Sequence, residues 1–175
     1  KYIVALLYIF SCSVLQAQSY FQWDEKIQQI NDAVTSMRIP EAKKAIAVER
    51  KLHPNNLCID LVESHADLYE LFFNENKEVF KTAYPLFSSR IDKFEKAPQQ
   101  SPYHDYGLGV LYLSKAAIAI RFEKNLEAAW DFRKAYLYFK DNRKKFPNFS
   151  PNNVYFGLLT TVLGSVPNNY QWLLN

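Results

Sequence analysis

From Gln18 onward the apolar side chains recur at spacings of three and four, and no run alternates long enough to make a strand. That periodicity confines the chain to helices with one buried face each, so the predicted fold class is all-α. Trp23, Ile27, Ile30, Val34 and Met37 share one such face. A second helix opens at Pro40, where a missing N–H is harmless, and runs through Ala42, Ala45 and Ile46 to about His53-Pro54. Asn55 or Asn56 caps a third, Leu57 to Phe73. Another helical stretch follows Asn74 and Asn76 to Lys96, with a kink or break expected at Pro85. Ala97 to Pro102 reads as a loop, and Asp105 as the cap of a helix through Phe122. That helix carries no charge from Tyr106 to Ser114, as expected for one packed between neighbours. Asn125 caps the most amphipathic segment, Leu126 to Lys145. Its stripe is Ala128, Phe132, Ala135 and Phe139; its polar face carries Asp131, Arg133, Lys134, Lys140, Asp141, Arg143 and Lys144.

Composition narrows the class further. With 175 residues, 49% apolar types and only 8 Pro and 4 Gly, the chain is long and apolar enough for one cored domain. Disordered and collagen-like chains are excluded. Three Trp, 12 Tyr and 13 Phe supply a large core. A net charge of +3 argues against an electropositive nucleic-acid binder, so no nucleic-acid partner is expected. The basic run Arg143-Lys144-Lys145 suits the negative end of a helix dipole.

The first 17 residues read differently. Lys1 precedes a nine-residue apolar run, Tyr2 to Phe10, and then Ser11-Cys12-Ser13-Val14-Leu15-Gln16-Ala17-Gln18. Basic start, short apolar core and small residue make a secretory signal, with cleavage between Ala17 and Gln18. The alternative is a buried N-terminal helix; a membrane span needs roughly 20 apolar residues. Cys12 follows a small residue, as in lipid-anchored proteins, but bulky Phe10 and the apolar pair Val14-Leu15 favour simple export. Processing leaves Cys58 as the one cysteine, flanked by Leu57, Ile59, Leu61 and Val62, and so expected to be a buried small hydrophobe.

Helices in antiparallel pairs invite a search for repeats. Tyr112, Ala116, Ala119, Ala128, Phe132 and Ala135 follow the large-and-small spacing of a tetratricopeptide repeat, and Ala128-x3-Phe132 matches that motif directly. Small residues at Ala116 and Ala128 let two helices approach, while Phe132 fills the gap to the next pair. Lys115 and Ala119 depart from the motif, and Pro147 comes late. Ala42 and Pro54 repeat its Ala-to-Pro distance, and Ala42 to Ala128 spans 86 residues, two units of about 43. The chain therefore resembles stacked tetratricopeptide-like hairpins, an α-solenoid, over residues 18–175; an ordinary helix bundle is the alternative.

Phe146-Pro147-Asn148-Phe149-Ser150-Pro151, Gly157-Leu158-Leu159 and Gly164-Ser165-Val166-Pro167 with Tyr170-Gln171-Trp172-Leu173-Leu174 carry a second resemblance. They are similar to the exported tetratricopeptide-type proteins of Bacteroidota, and more faintly to a eukaryotic tetratricopeptide family linked to lipid droplets and inclusion bodies. Neither implies catalytic residues; the first implies further helical units. The absence of charge from Phe146 to Asn175, where a terminal repeat needs a polar face, carries the same expectation of a longer array. Val154 to Val166, at 13 uncharged residues, reads as a buried helix more readily than a membrane hairpin.

Chemistry-bearing motifs are sparse. His53, Cys58, His65 and Asp67 lack the tight spacing of a zinc site, leaving a buried thiol and a surface histidine. His104 and Asp105, as helix neighbours, are expected to point apart. Glu63 with Asp67, and Glu123 with Glu127, are assigned to exposed faces. Neither Gly-x-Ser-x-Gly nor a phosphate-cradling glycine loop occurs, so no catalytic, cofactor or metal residue is assigned. The expectation is a non-enzymatic exported scaffold for a protein partner, periplasmic or outer-membrane-associated. The alternative is a glycan- or lipid-binding accessory protein, which exposed aromatics on one face would favour.

Overall fold

A computed structural model describes residues 20–164 and, among them, seven helices and no strand. Ala17 and Gln18, the expected cleavage site, lie outside the described residues. The helices are α1 Glu25–Thr35, α2 Ile39–Leu52, α3 Leu57–Asn74, α4 Lys77–Glu95, α5 Pro102–Arg121, α6 Asn125–Lys145 and α7 Pro151–Gly164. The all-α expectation holds.

Local chemistry starts most of them. The Asp24 carboxylate accepts from the Ile27 N–H at 2.9 Å and caps α1. Of the two candidates before α3, Asn56 is the cap: its side-chain oxygen accepts from Cys58 N–H and Gln22 N–H, and its amide donates to the Gln22 carbonyl. Asn76 caps α4, which continues through Pro85 rather than breaking. Pro85 and Lys81 are both exposed, so the carbonyl that the proline frees faces water. Two expected caps are corrected. Ser101 caps α5, with Pro102 as the first helical residue, and Asp105 is a buried residue inside the helix. Lys124, which makes no side-chain capping bond, precedes α6, whose first residue is Asn125.

Three helix pairs, α1/α2, α3/α4 and α5/α6, follow one another. The odd helices α1, α3 and α5 lie side by side, while α2, α4 and α6 each pack on the odd helix that follows. One core cluster joins Ile27, Val34, Ala42, Ile46, Cys58, Ile59 and Val62; the other joins Leu61, Phe87, Phe94, Leu108, Leu111, Ile118 and Phe139. The uncharged stretch of α5, Tyr106 to Ser114, is enclosed as expected. Its two glycines admit aromatic rings: a Cβ on Gly107 would overlap Phe94, and one on Gly109 would approach Phe139 to 2.8 Å.

The turns within the pairs repeat. At the end of α1, Met37 takes φ 61°, Met37 N–H bonds Val34 O, and Arg38 N–H bonds Ala33 O. At the end of α5, Glu123 takes φ 61°, Glu123 N–H bonds Ile120 O, and Lys124 N–H bonds Ala119 O. Both are Schellman turns in which a non-glycine residue holds the left-handed position. Met37 is thereby half exposed, not on the buried face expected for it. Arg38 pairs with Glu41, as Lys124 does with Glu127, and the buried Ala42 and Ala128 follow. The 86-residue interval seen in the sequence is thus an interval between matching turns.

The middle pair differs. Glu75 has φ 49°, its N–H bonds Leu71 O, and Asn76 caps the next helix. Phe80 stands where the other pairs have alanine, four residues past the cap. Its ring stacks forward on Phe122, at 4.1 Å between centroids, and on Tyr84. The Tyr84 hydroxyl donates to Glu127. A bulky ring at that slot accounts for α4 leaning on α5 more than on α3.

Candidate functional site

The repeat-packing residues fall at the α5/α6 pair, the most extensively packed helix pair. Tyr112, Ala116, Ala119, Ala128 and Ala135 are buried, and Phe132 is half-buried. Tyr112 stacks on Tyr138, and Lys115, a departure from the motif, pairs with Asp131 at 3.1 Å. Asp131 is therefore buried, not part of the exposed face assigned to it. One ion pair thus accounts for both the lysine at position 115 and the burial of Asp131.

Glu63 and Asp67 also leave the exposed role expected of them. Asp60, Glu63, Asp67 and Glu70 recur every three or four residues along one side of α3. Lys43 and Arg50 reach them from α2, and Arg90 and Lys93 from α4. Arg90, 4% exposed, bonds Asp67 at 2.7 Å and Glu63 at 3.0 Å. An ionic seam so holds three helices together. His104 and Asp105 do meet: Nδ1 and a carboxylate oxygen lie 2.7 Å apart, and Lys145 contacts the other oxygen at 2.6 Å. Their position in the first turn of α5, beneath the end of α6, lets the side chains fold together. In the same corner the Asn142 amide donates to Pro102 O and to Asn152, joining α5, α6 and α7. No sequence motif announces these networks, because the partners that meet across helices, such as Arg90 with Asp67 and Lys145 with Asp105, are far apart along the chain.

On the opposite side of α3 a cleft of about 560 Å³ opens across α1, α3, α5 and α7. Trp23, Asn31, Thr35, His65, Leu68, Tyr69, Tyr106, Leu113, Ser114, Ala117, Pro151, Val154, Tyr155 and Leu158 line it. Its volume lies within the usual range for ligand pockets. His65, expected at the surface, is half-buried in its wall: Nδ1 is 3.4 Å from the Asn31 amide oxygen and Nε2 is 3.1 Å from the Tyr155 hydroxyl. One neutral tautomer satisfies both, with Nδ1–H donating to Asn31 and Nε2 accepting from Tyr155. Burial pushes the imidazole down to about 4 from 6.5, and the Tyr155 phenol up to about 12. As pH falls, the unfolded chain takes up the histidine proton first. The His65 contribution is complete above 6.5 and is lost between about 6.5 and 4. The part of the ring open to the cleft keeps that loss below the roughly 3 kcal/mol a full shift of this size would give. A comparison of thermal midpoints against pH should show the wild type falling in this window relative to His65→Gln; parallel curves would refute it.

His53, Cys58, His65 and Asp67 each have separate surroundings, and no cluster of metal-ligating side chains occurs among the described residues. Cys58 is fully buried, and burial pushes its thiol up to about 12. In a chain starting at Gln18 it is the one thiol, and iodoacetamide at pH 8 is expected to label it only once urea unfolds the protein. Among the described residues no helix is long and apolar enough to cross a membrane. Compared with protein-family models, curated proteins and solved structures, the chain matches none.

Proposed function

We propose that this chain is a non-enzymatic, tetratricopeptide-like helical-repeat scaffold, exported to the periplasm or outer membrane, that engages a protein partner across the face shared by α1, α3, α5 and α7. The observation that carries this reading is the cleft, to which all four of those helices contribute side chains. Helix pairs that follow one another, with matching turns in the first and third, support a stacked array, an arrangement that presents extended binding surfaces. The aromatics also favour a scaffold over the glycan- or lipid-binding alternative. Most lie buried or half-buried between helices, as in the Tyr106, Phe139, Tyr155 and Phe149 group, and exposed Phe72 lies under Arg121.

Export is tested by fusing residues 1–24, which carry the expected cleavage site and the residues after it, to a phosphatase that is active only outside the cytoplasm. The expected result is activity with cleavage between Ala17 and Gln18 by mass spectrometry; an inactive, uncleaved fusion would remove export from the reading. The scaffold role is tested by comparing proteins retained from envelope extract by wild type and by a Val154→Ser/Leu158→Ser double variant. Both positions are exposed, so folding is spared. Loss of a specific protein supports the reading, and identical retention counts against this face.

A further inference from the structure

We infer that the occupant of the cleft is an uncharged, apolar peptide segment of the partner protein, an inference that rests on the scaffold reading of the same face. Charged side chains make up 22% of the chain, yet none of the fourteen lining residues is Asp, Glu, Lys or Arg. The fold produces this neutrality. On α3 the four carboxylates are turned to the ionic seam and compensated by cations from α2 and α4, while His65, Leu68 and Tyr69 face the cleft. Burial keeps His65 neutral, and its ring nitrogens meet the Asn31 amide on α1 and the Tyr155 hydroxyl on α7. A charged occupant would lose its hydration here and meet no counter-charge. One wall is apolar and open to solvent, with Val154 72% exposed and Leu158 53% exposed. An apolar occupant removes that surface from water. The Asn31 amide nitrogen, left over once its oxygen meets His65, and the Thr35 hydroxyl oxygen, whose proton goes to the Asp32 carbonyl, stand among the apolar residues; a peptide backbone has the C=O and N–H groups to use them, whereas an acyl chain does not.

The test is selection of displayed random 12-residue peptides on the immobilised chain, followed by titration calorimetry with the enriched peptides. The expected peptides are uncharged and aliphatic or aromatic at their central positions. Val154→Glu, or an Asp or Lys placed centrally in the peptide, is expected to weaken binding at least 10-fold, with helical content by circular dichroism unchanged. Charged peptides that lose binding with Val154→Glu would overturn the neutral chemistry while leaving peptide docking on this face intact. Peptides that bind Val154→Glu as well as wild type would overturn both. Failure to enrich peptides, with Val154-dependent binding to neutral phosphatidylcholine vesicles, would assign the cleft to a membrane and overturn the peptide occupant.

Discussion

Arg90→Ala is expected to destabilise the protein by about 3–5 kcal/mol, the usual penalty for removing one partner of a buried ion pair. The urea midpoint would fall, and the thermal midpoint would drop by roughly 6–20 °C for a domain of this size. The size follows from position. Arg90 and Asp67 are both nearly inaccessible to water, so the carboxylate left behind keeps its desolvation without its guanidinium. Lys43 still touches Asp67 and Arg50 still touches Glu63, but neither replaces the 2.7 Å contact from α4. The control is Arg90→Met with Asp67→Leu, which removes both charges. Apolar pairs of similar volume are often neutral or better in such places, so this double variant should recover much of the loss. A loss under about 1 kcal/mol for Arg90→Ala would mean that the seam behaves like solvated surface pairs, and the packing of α4 on α3 would need another explanation.

The second large effect contrasts two glycines in helices. In a helix interior, alanine normally gains about 0.5–1 kcal/mol over glycine. Gly157→Ala on α7 should show that gain, because nothing lies within 4 Å of the position its Cβ would take. Gly107→Ala should do the reverse. Its Cβ would overlap the Phe94 ring, which is fully buried and backed by Phe21 at 5.6 Å between centroids. Overpacking of this kind costs about 1–3 kcal/mol, occasionally more, and outweighs the helix gain. Gly109→Ala should follow in the same direction against Phe139. Adding Phe94→Leu to Gly107→Ala should recover part of the loss, and a double-mutant cycle measures that coupling. Equal shifts for Gly107→Ala and Gly157→Ala would contradict ring-on-glycine packing.

The elements were legible where the signal is local. Asn56 and Asn76 act within three residues of themselves, and the stripes of α1, α2 and α6 follow helical period. Three boundaries differ from expectation for equally local reasons, and Asn125 is the first residue of α6 because the left-handed turn at Glu123 leaves Lys124 before the helix. Asp105 has the chemistry of a cap, but Ser101 followed by Pro102 holds the stronger position one turn earlier. Met37 completes an apolar period, yet the chain turns there with a left-handed residue that is not the usual glycine, so no turn signal was present. The candidate site was less legible. Residues of four helices meet in the cleft, and His65 and Tyr155 are hydrogen-bonded 90 positions apart. Charge on Glu63, Asp67 and Asp131 looks identical in sequence whether water or an arginine or lysine lies opposite.

Period, capping chemistry and chargelessness of Tyr106 to Ser114 were sufficient by themselves to determine the all-helical character of the described residues and the enclosure of that part of α5, because each acts within one or two turns. Only the tertiary structure decided which charges became a buried seam, which glycines received rings, and that α3 separates an ionic side from a neutral cleft. Those outcomes depend on which helix lies opposite, and the free energy of burying a charge or a ring is set by that neighbour, not by the residue alone.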